Sequence, residues 1–278
     1  MGQVEGKVAF ITGAARGQGR ADAVRLAEEG ADIVAVDLLS DIEGVNYPLA
    51  RESDMEETAD LVQSLGRRII VEQADVRDLP RLEKAARRAV SELGHIDIVI
   101  ANAGICTVSK SWEMSEETWQ TLIDINLTGV WKTIRATAPV MIEAGRGGSI
   151  MLISSIAGLA AFPNMVHYNA AKHGVIGIMR AYAIELGQFN IRVNSVHPTN
   201  VSTDMLLRNP PIQELMTGNP HAGRDDLAPA LTGMHAFNIP WIKVSNLVVW
   251  LGSDKSRYVT GTAQVLDAGA LAPFKIPH

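Results

Sequence analysis

The chain is predicted to fold as one α/β domain, a doubly wound parallel sheet of seven strands with helices on both faces. Two observations predict it. Short runs rich in Val and Ile, apolar along their whole length as strands buried on both faces must be, alternate with segments of helical period. The 278 residues, 47% hydrophobic and 20% charged, are enough for one large core, and nothing in them marks a second domain, so residues 1–278 are read as a single unit.

The first strand, "KVAFIT", runs into "GAARGQG", which sets Gly13, Gly17 and Gly19 in a turn before the helix "GRADAVRLAEEGA". Glycines there let the backbone turn tightly and approach a pyrophosphate, whose charge the free N–H groups and positive helix end stabilise. Ala23, Leu26 and Ala27 share one face of that helix, which stops at Gly30. The second strand, "DIVAVD", ends on Asp37, 18 residues after Gly19 and placed to accept hydrogen bonds from the adenosine ribose hydroxyls. A 2′-phosphate would meet a like charge there, and Leu38 rather than Arg follows, so NAD is expected as cofactor. Arg16 points the other way, because a cation in the glycine turn can clamp a 2′-phosphate; an NADP-linked ketone or 3-oxoacyl reductase is the alternative it leaves open.

An insertion at about 38–53 delays the next helix to near Ser53 and Asp54. With Ile42, Val45, Tyr47, Pro48 and Leu49 to pack and Gly44 to turn, it is expected to fold over the bound dinucleotide and slow its escape; a tolerated surface insertion is the other reading. The third strand, "RIIVEQAD", brings Asp75 and the Val76 backbone toward the adenine edge, and the fourth, "IDIVIANAG", ends in Asn102, Ala103 and Gly104. One long helical stretch then opens on a capping pattern, Ser115 to Thr118 with acids between, carries Asn126 and stops at Gly145.

The fifth strand, "GSIMLISS", ends at Ser155, thirteen residues before Tyr168. "YNAAK" sets Tyr168 and Lys172 four apart on a helix and so on one face. A cation beside a phenol lowers its pKa from about 10 and makes it a usable general base. The sixth strand, "IRVNSVHP", leads into "TNVSTDM" and an irregular region at about 200–241, interrupted by Pro210, Pro211, Pro220, Pro229 and Pro240. Its Met205, Leu206, Leu207, Leu215, Met216, Leu231, Met234, Phe237 and Trp241 either enclose a mostly apolar secondary alcohol or pack the loop onto the body or a neighbouring subunit. "AQVLDAG" supplies the seventh strand.

Thr12-Gly13-x-x-x-Gly17-x-Gly19, Asn102-Ala103-Gly104, Asn126, Ser155, Tyr168 and Lys172 together resemble the short-chain dehydrogenase/reductase family over nearly the whole chain. The resemblance implies a Rossmann-like fold in which Tyr168 takes the proton of a substrate alcohol and Ser155 hydrogen-bonds its oxygen. It implies too that Lys172 holds the nicotinamide ribose while depressing the tyrosine pKa, and that Asn126 positions a water in a proton relay. Pro198, Val201 and Thr203 match the family, the last two as ligands of the nicotinamide carboxamide, whereas Thr199 replaces a usual glycine and Gln18 a usual Ile or Leu.

"GAARGQGR", the insertion and "HPTNVSTDM" resemble a narrower group, the carveol-dehydrogenase-like, mycofactocin-linked enzymes. That likeness implies a non-exchanging NAD re-oxidised in place by the redox peptide mycofactocin. The family also implies a homotetramer, although composition alone fits a dimer equally.

The formal charge of −6, with Lys and Arg scattered, argues against nucleic acid. The single Cys106, the absence of a secretory leader pattern and the lack of a membrane-length apolar run make a cytoplasmic location the expectation. His167, His173 and His197 lack metal-ligand spacing and are expected to be structural, with no metal site. A non-enzymatic NAD(H)-binding redox sensor is the rival class, disfavoured because a sensor needs no proton relay.

Overall fold

The computed structural model describes residues 2–219, 221 and 241–271, with 241 and 242 in backbone only. Leu231, Met234, Phe237, Pro220, Pro229, Pro240 and the Trp241 side chain therefore lie outside the described residues. Seven parallel strands form one sheet in the order β3-β2-β1-β4-β5-β6-β7. They are β1 (Val8–Thr12), β2 (Asp32–Asp37), β3 (Ile69–Gln73), β4 (Ile98–Ala101), β5 (Gly148–Ile153), β6 (Ile191–Pro198) and β7 (Ala263–Leu266).

Side-chain alternation along each strand divides the core into two layers. Phe10, Val34, Val99 and Leu152 face the layer that includes α3 (Leu79–Leu93), α5 (Gly129–Ala144) and α6 (Val166–Gly187). Ile11, Ile33, Ile100 and Met151 face α1 (Gly17–Glu28), α2 (Glu52–Ser64) and α9 (Trp241–Gly252). Phe10, Ile11, Ile33 and Ile100 are completely buried, and each such side chain contributes about 1.5–3 kcal/mol. The strand order reverses direction at β1 and β4, and a doubly wound sheet opens its ligand crevice at such a point, beyond the carboxyl ends of the strands.

Two helix boundaries depart from expectation. α2 begins at Glu52, slightly earlier than its sequence suggests, because the Arg51 N–H donates to Asp54 Oδ2 at 2.8 Å and closes the first turn. The stretch from Ser115 is three pieces: α4 (Glu116–Ile123), a π turn at Asp124–Thr128 and α5, which ends on left-handed Gly145. The Ser115 hydroxyl caps α4 by accepting the Thr118 N–H at 3.1 Å. Two short helices, α7 (Asp204–Leu207) and α8 (Pro210–Thr217), follow β6. No helix among the described residues is long and apolar enough to cross a membrane.

Between α1 and α9, Asp22 is fully buried and accepts the Ser245 hydroxyl at 2.6 Å. Burial raises its pKa to about 7 against the lowering effect of Ser245 and Gln18. From the ordinary carboxylate value up to about 7 the native state holds a proton that the unfolded chain releases, so this group lowers stability as pH rises through that window. Asp22→Asn is therefore expected to melt above the parent at pH 8, with the gap closing toward pH 4. Thermal unfolding across that range checks the sign.

Candidate active site

The glycine turn is held open from behind. Arg20 Nη2 and the Thr58 hydroxyl both donate to the Ala15 carbonyl at 2.8 Å, and Arg20 also pairs with Glu57 at 2.6 Å. Gly13 has φ +68°, and a Cβ there would stand 2.9 Å from the Ala103 Cα; at Gly19 it would stand 2.0 Å from the Gly13 carbonyl oxygen. Only glycine lets turn, helix and β4 approach so closely. Asn102 seals the approach by donating from Nδ2 to the carbonyls of Thr12 (3.0 Å) and Gly13 (3.1 Å), while the Thr12 hydroxyl accepts the Asn102 and Ala103 N–H groups.

Asp37 Oδ2 accepts the Ala15 N–H at 3.0 Å and Oδ1 the Leu38 N–H at 2.8 Å. Burial raises its pKa and these N–H groups oppose the rise. The Leu39 N–H acts on it too, and a carboxylate with about four acceptor positions keeps room for a ribose hydroxyl. Asp75 is chelated by Arg77, with Nη2 to Oδ2 at 2.6 Å, leaving the Val76 main chain as the freer adenine-edge contact.

Arg16 does not stand ready for a phosphate. Its Nη1 pairs with Asp204 Oδ2 at 2.8 Å and its Nη2 donates to the Pro48 carbonyl, so one guanidinium ties the insertion to α7. That geometry removes the observation on which an NADP reading rested.

At the other end of the crevice β5 stops at Ile153, and Ser155 caps a single 3₁₀ turn, Ile156–Gly158, by accepting the Ala157 N–H at 3.1 Å. Gly158 lets this turn lie on α6, where a Cβ would come within 2.6 Å of the Lys172 carbonyl oxygen. His197 fixes Ser155 from the far side, Nδ1 meeting the Ser155 carbonyl and Nε2 the Ser195 hydroxyl, each at 2.8 Å. Burial lowers the His197 and His167 pKa values; His167 Nε2 meets Thr107 at 2.7 Å, and His173 Nδ1 meets the Asn169 carbonyl at 2.9 Å.

Tyr168 and Lys172 lie one turn apart on the buried face of α6, with Nζ 5.5 Å from the phenol ring centroid and donating to the Ile153 carbonyl at 2.9 Å. Burial lowers the Lys172 pKa to about 8 and pushes that of Tyr168 well above its ordinary value, while the facing Ser155 hydroxyl works to lower it. Asn126 sits in the π turn, and its side chain is fully engaged by Ile105, accepting its N–H at 2.9 Å and donating to its carbonyl at 2.8 Å. This residue thus positions the loop after β4, and π turns of this kind recur at functional sites.

All the residues singled out from the sequence as catalytic or cofactor-binding line one cavity of ≈ 850 Å³, except Gly19, which is buried beneath the turn. Pro198, Val201 and Thr203 lie along its rim, with Thr203 next to Gly17. One buried polar atom on the wall, Thr199 Oγ1, has no protein partner among the described residues, whereas the Gln18 side chain has Asp22 beneath it. An unpartnered buried hydroxyl calls for a polar ligand, so the cradle fits a dinucleotide. Met205, Leu206, Leu215 and Met216 join Phe162 and Met165 at the Tyr168 end; Leu207 packs beside them without lining the cavity.

Three contributors were hidden from sequence reasoning. Tyr47, one of the packing residues of the insertion, accepts the Cys106 N–H on its hydroxyl at 3.3 Å. Asn209, completely buried at the start of α8, donates to the Cys106 carbonyl at 3.0 Å, and Asp204 closes on Arg16. A phenol among the apolar residues Val45, Pro48 and Leu49 was the one available clue. Cys106 itself is buried, its pKa pushed up to about 12, and acts as a small apolar residue.

The family model described as short chain dehydrogenase matches residues 7–211. The (-)-trans-carveol dehydrogenase of Rhodococcus erythropolis is 48% identical over 273 residues, 97% of this chain and 99% of the relative. The crystal structure of carveol dehydrogenase from Mycobacterium avium in complex with NAD superposes with a TM-score of 0.94 at 51% identity, covering 98% of this chain and 99% of that one. A short chain dehydrogenase from Mycobacterium paratuberculosis bound to NAD gives 0.86 at 42% identity, covering 97% and 99%.

Proposed function

Because the chain belongs to the short chain dehydrogenase family and is an NAD-dependent alcohol oxidoreductase, we propose that it oxidises a mostly apolar, carveol-like secondary alcohol to its ketone. The observation that carries this reading is the convergence of Ser155, Tyr168 and Lys172 at the apolar end of the cavity that the glycine turn opens.

NAD supplies the hydride acceptor. Tyr168 removes the carbinol proton, and Ser155 donates to the same oxygen, fixing the C–H bond in one orientation. The phenol is buried and costly to ionise alone, so the Lys172 ammonium beside it is what makes phenolate accessible. His197 keeps Ser155 in place through its carbonyl, and Asn126 shapes the floor through Ile105. In the reductive direction Tyr168 gives the proton back.

Gly13, Gly17, Gln18 and Gly19 would cradle the diphosphate, Asp37 and Leu38 the adenosine ribose, and Asp75 with Val76 the adenine edge. Asn102, Ala103 and Gly104 would border the nicotinamide ribose held by Lys172, and Pro198, Val201 and Thr203 the carboxamide.

The Arg16 clasp on the insertion supports a cofactor that stays bound through turnover and is re-oxidised in place, with mycofactocin as the proposed acceptor. Half-exposed Trp119 and Trp131, on α4 and α5, support burial of those helices in a cytoplasmic homotetramer. Native mass spectrometry of the purified protein tests both: four chains carrying NAD are expected, and denaturation should release NAD. Release of NADP, or of no nucleotide, would count against the bound cofactor.

A further inference from the structure

We propose that Tyr47, supplied by the insertion after β2, is a substrate-recognition residue that donates a hydrogen bond to a second oxygen on the alcohol being oxidised. The inference rests on the dehydrogenase reading above and adds a substrate class to it: secondary alcohols that bear another hydroxyl, ketone or ether oxygen.

Tyr47 is 5% exposed, and what it shows opens on the cavity. Its oxygen accepts the Cys106 N–H at 3.3 Å, which fixes the phenol at the end of the cavity where Cys106 packs among Met165, Tyr168, Leu206 and Ile212. A phenol is donor and acceptor at once. Here the acceptor side is engaged, and no acceptor among the described residues takes the proton. The Cys106 carbonyl is engaged by Asn209 Nδ2 at 3.0 Å and not by the phenol. The O–H is free to rotate toward the cavity, and a buried phenol so placed calls for an acceptor.

Tyr47 is also distinct from Tyr168 in chemistry. Tyr168 has the Ser155 hydroxyl facing it and the Lys172 ammonium 5.5 Å from its ring centroid, whereas at Tyr47 burial and the buried Cys106 thiol outweigh the Cys106 N–H and the Arg16 charge that would favour ionisation. Burial holds its proton on, so it serves as a neutral donor and not as a second base. Cys106, whose N–H meets the Tyr47 hydroxyl, packs in one cluster with Tyr168, and both phenols line the same cavity, so a molecule whose carbinol lies at Tyr168 extends toward Tyr47. The walls between them are apolar, so a second oxygen on the substrate would find its hydrogen bond at Tyr47.

The test compares cyclohexanol with the 1,2-, 1,3- and 1,4-cyclohexanediols in the holoenzyme and in Tyr47→Phe, with a dye as electron acceptor and NAD content measured on both proteins. The parent is expected to prefer at least one diol, and in Tyr47→Phe the ratio of kcat/KM for that diol over cyclohexanol should fall about tenfold, the size of one neutral hydrogen bond. An unchanged ratio, or a parent without diol preference, overturns the inference. Loss of NAD from Tyr47→Phe also overturns it, by assigning the hydroxyl to the cofactor. No turnover of any of these alcohols by the parent would instead bring down the dehydrogenase reading, and the inference with it.

Discussion

Tyr168→Phe is expected to lower alcohol oxidation by about 10³-fold or more while the purified protein still carries NAD. The substitution removes one oxygen from a partly buried ring, and the packing around that ring, Cys106 and Met165 among it, is untouched. What disappears is the group proposed to take the carbinol proton. Ser155 remains as a donor to the substrate oxygen but has no base behind it: His197 is tied through Nδ1 to the Ser155 carbonyl and not to its hydroxyl. Lys172 cannot substitute, because its ammonium donates to the Ile153 carbonyl and stands 5.5 Å from the ring centroid. Turnover with a dye acceptor, read beside nucleotide content, separates a chemical defect from a binding one. Full activity in this variant would sink the assignment of the base.

The parts of this molecule that sequence made legible are those where neighbouring residues decide the outcome. The strands could be read because their apolar runs are continuous, as burial on both faces requires, and all seven sit in the sheet. The glycine turn could be read because its backbone needs Gly13 and Gly17 at positive φ within a few residues. Tyr168 and Lys172 could be paired because helical spacing alone sets them on one face. What stayed hidden depends on partners far along the chain. Arg16 looks like a phosphate clamp until Asp204, brought back by the turn after β6, takes its guanidinium. Tyr47 looks like filler until the insertion folds across to Cys106. The π turn at Asn126 interrupts no apolar period, so the helix from Ser115 looked continuous; its cause is the Ile105 backbone, which captures both polar atoms of the Asn126 side chain.

Deleting residues 40–51 is expected to give a protein that loses its NAD on dialysis, where the parent keeps it. The insertion is pinned to the body at three kinds of contact. Ile42, Val45 and Leu49 pack against the cluster of Val76, Ile105, Leu122 and Ile125, the Tyr47 hydroxyl meets Cys106, and the Pro48 carbonyl accepts from Arg16. The last two reach further than the insertion itself. Arg16 also holds Asp204 of α7, and Cys106 also receives Asn209 of α8, so the cover over the adenosine end and the cover over the reacting end share both of their anchors. A dinucleotide lying beneath would have to wait for the two covers to part. Asp204→Asn tests that linkage without shortening the chain: the Arg16 pair is partly buried, so its loss should speed NAD release by about threefold to tenfold, less at high salt where such pairs are already screened. Because Asp204 belongs to the turn after β6 and not to the insertion, faster release in that variant would mean that the cofactor is retained by the joined covers and not by the insertion alone. Unchanged retention in both variants would refute the lid.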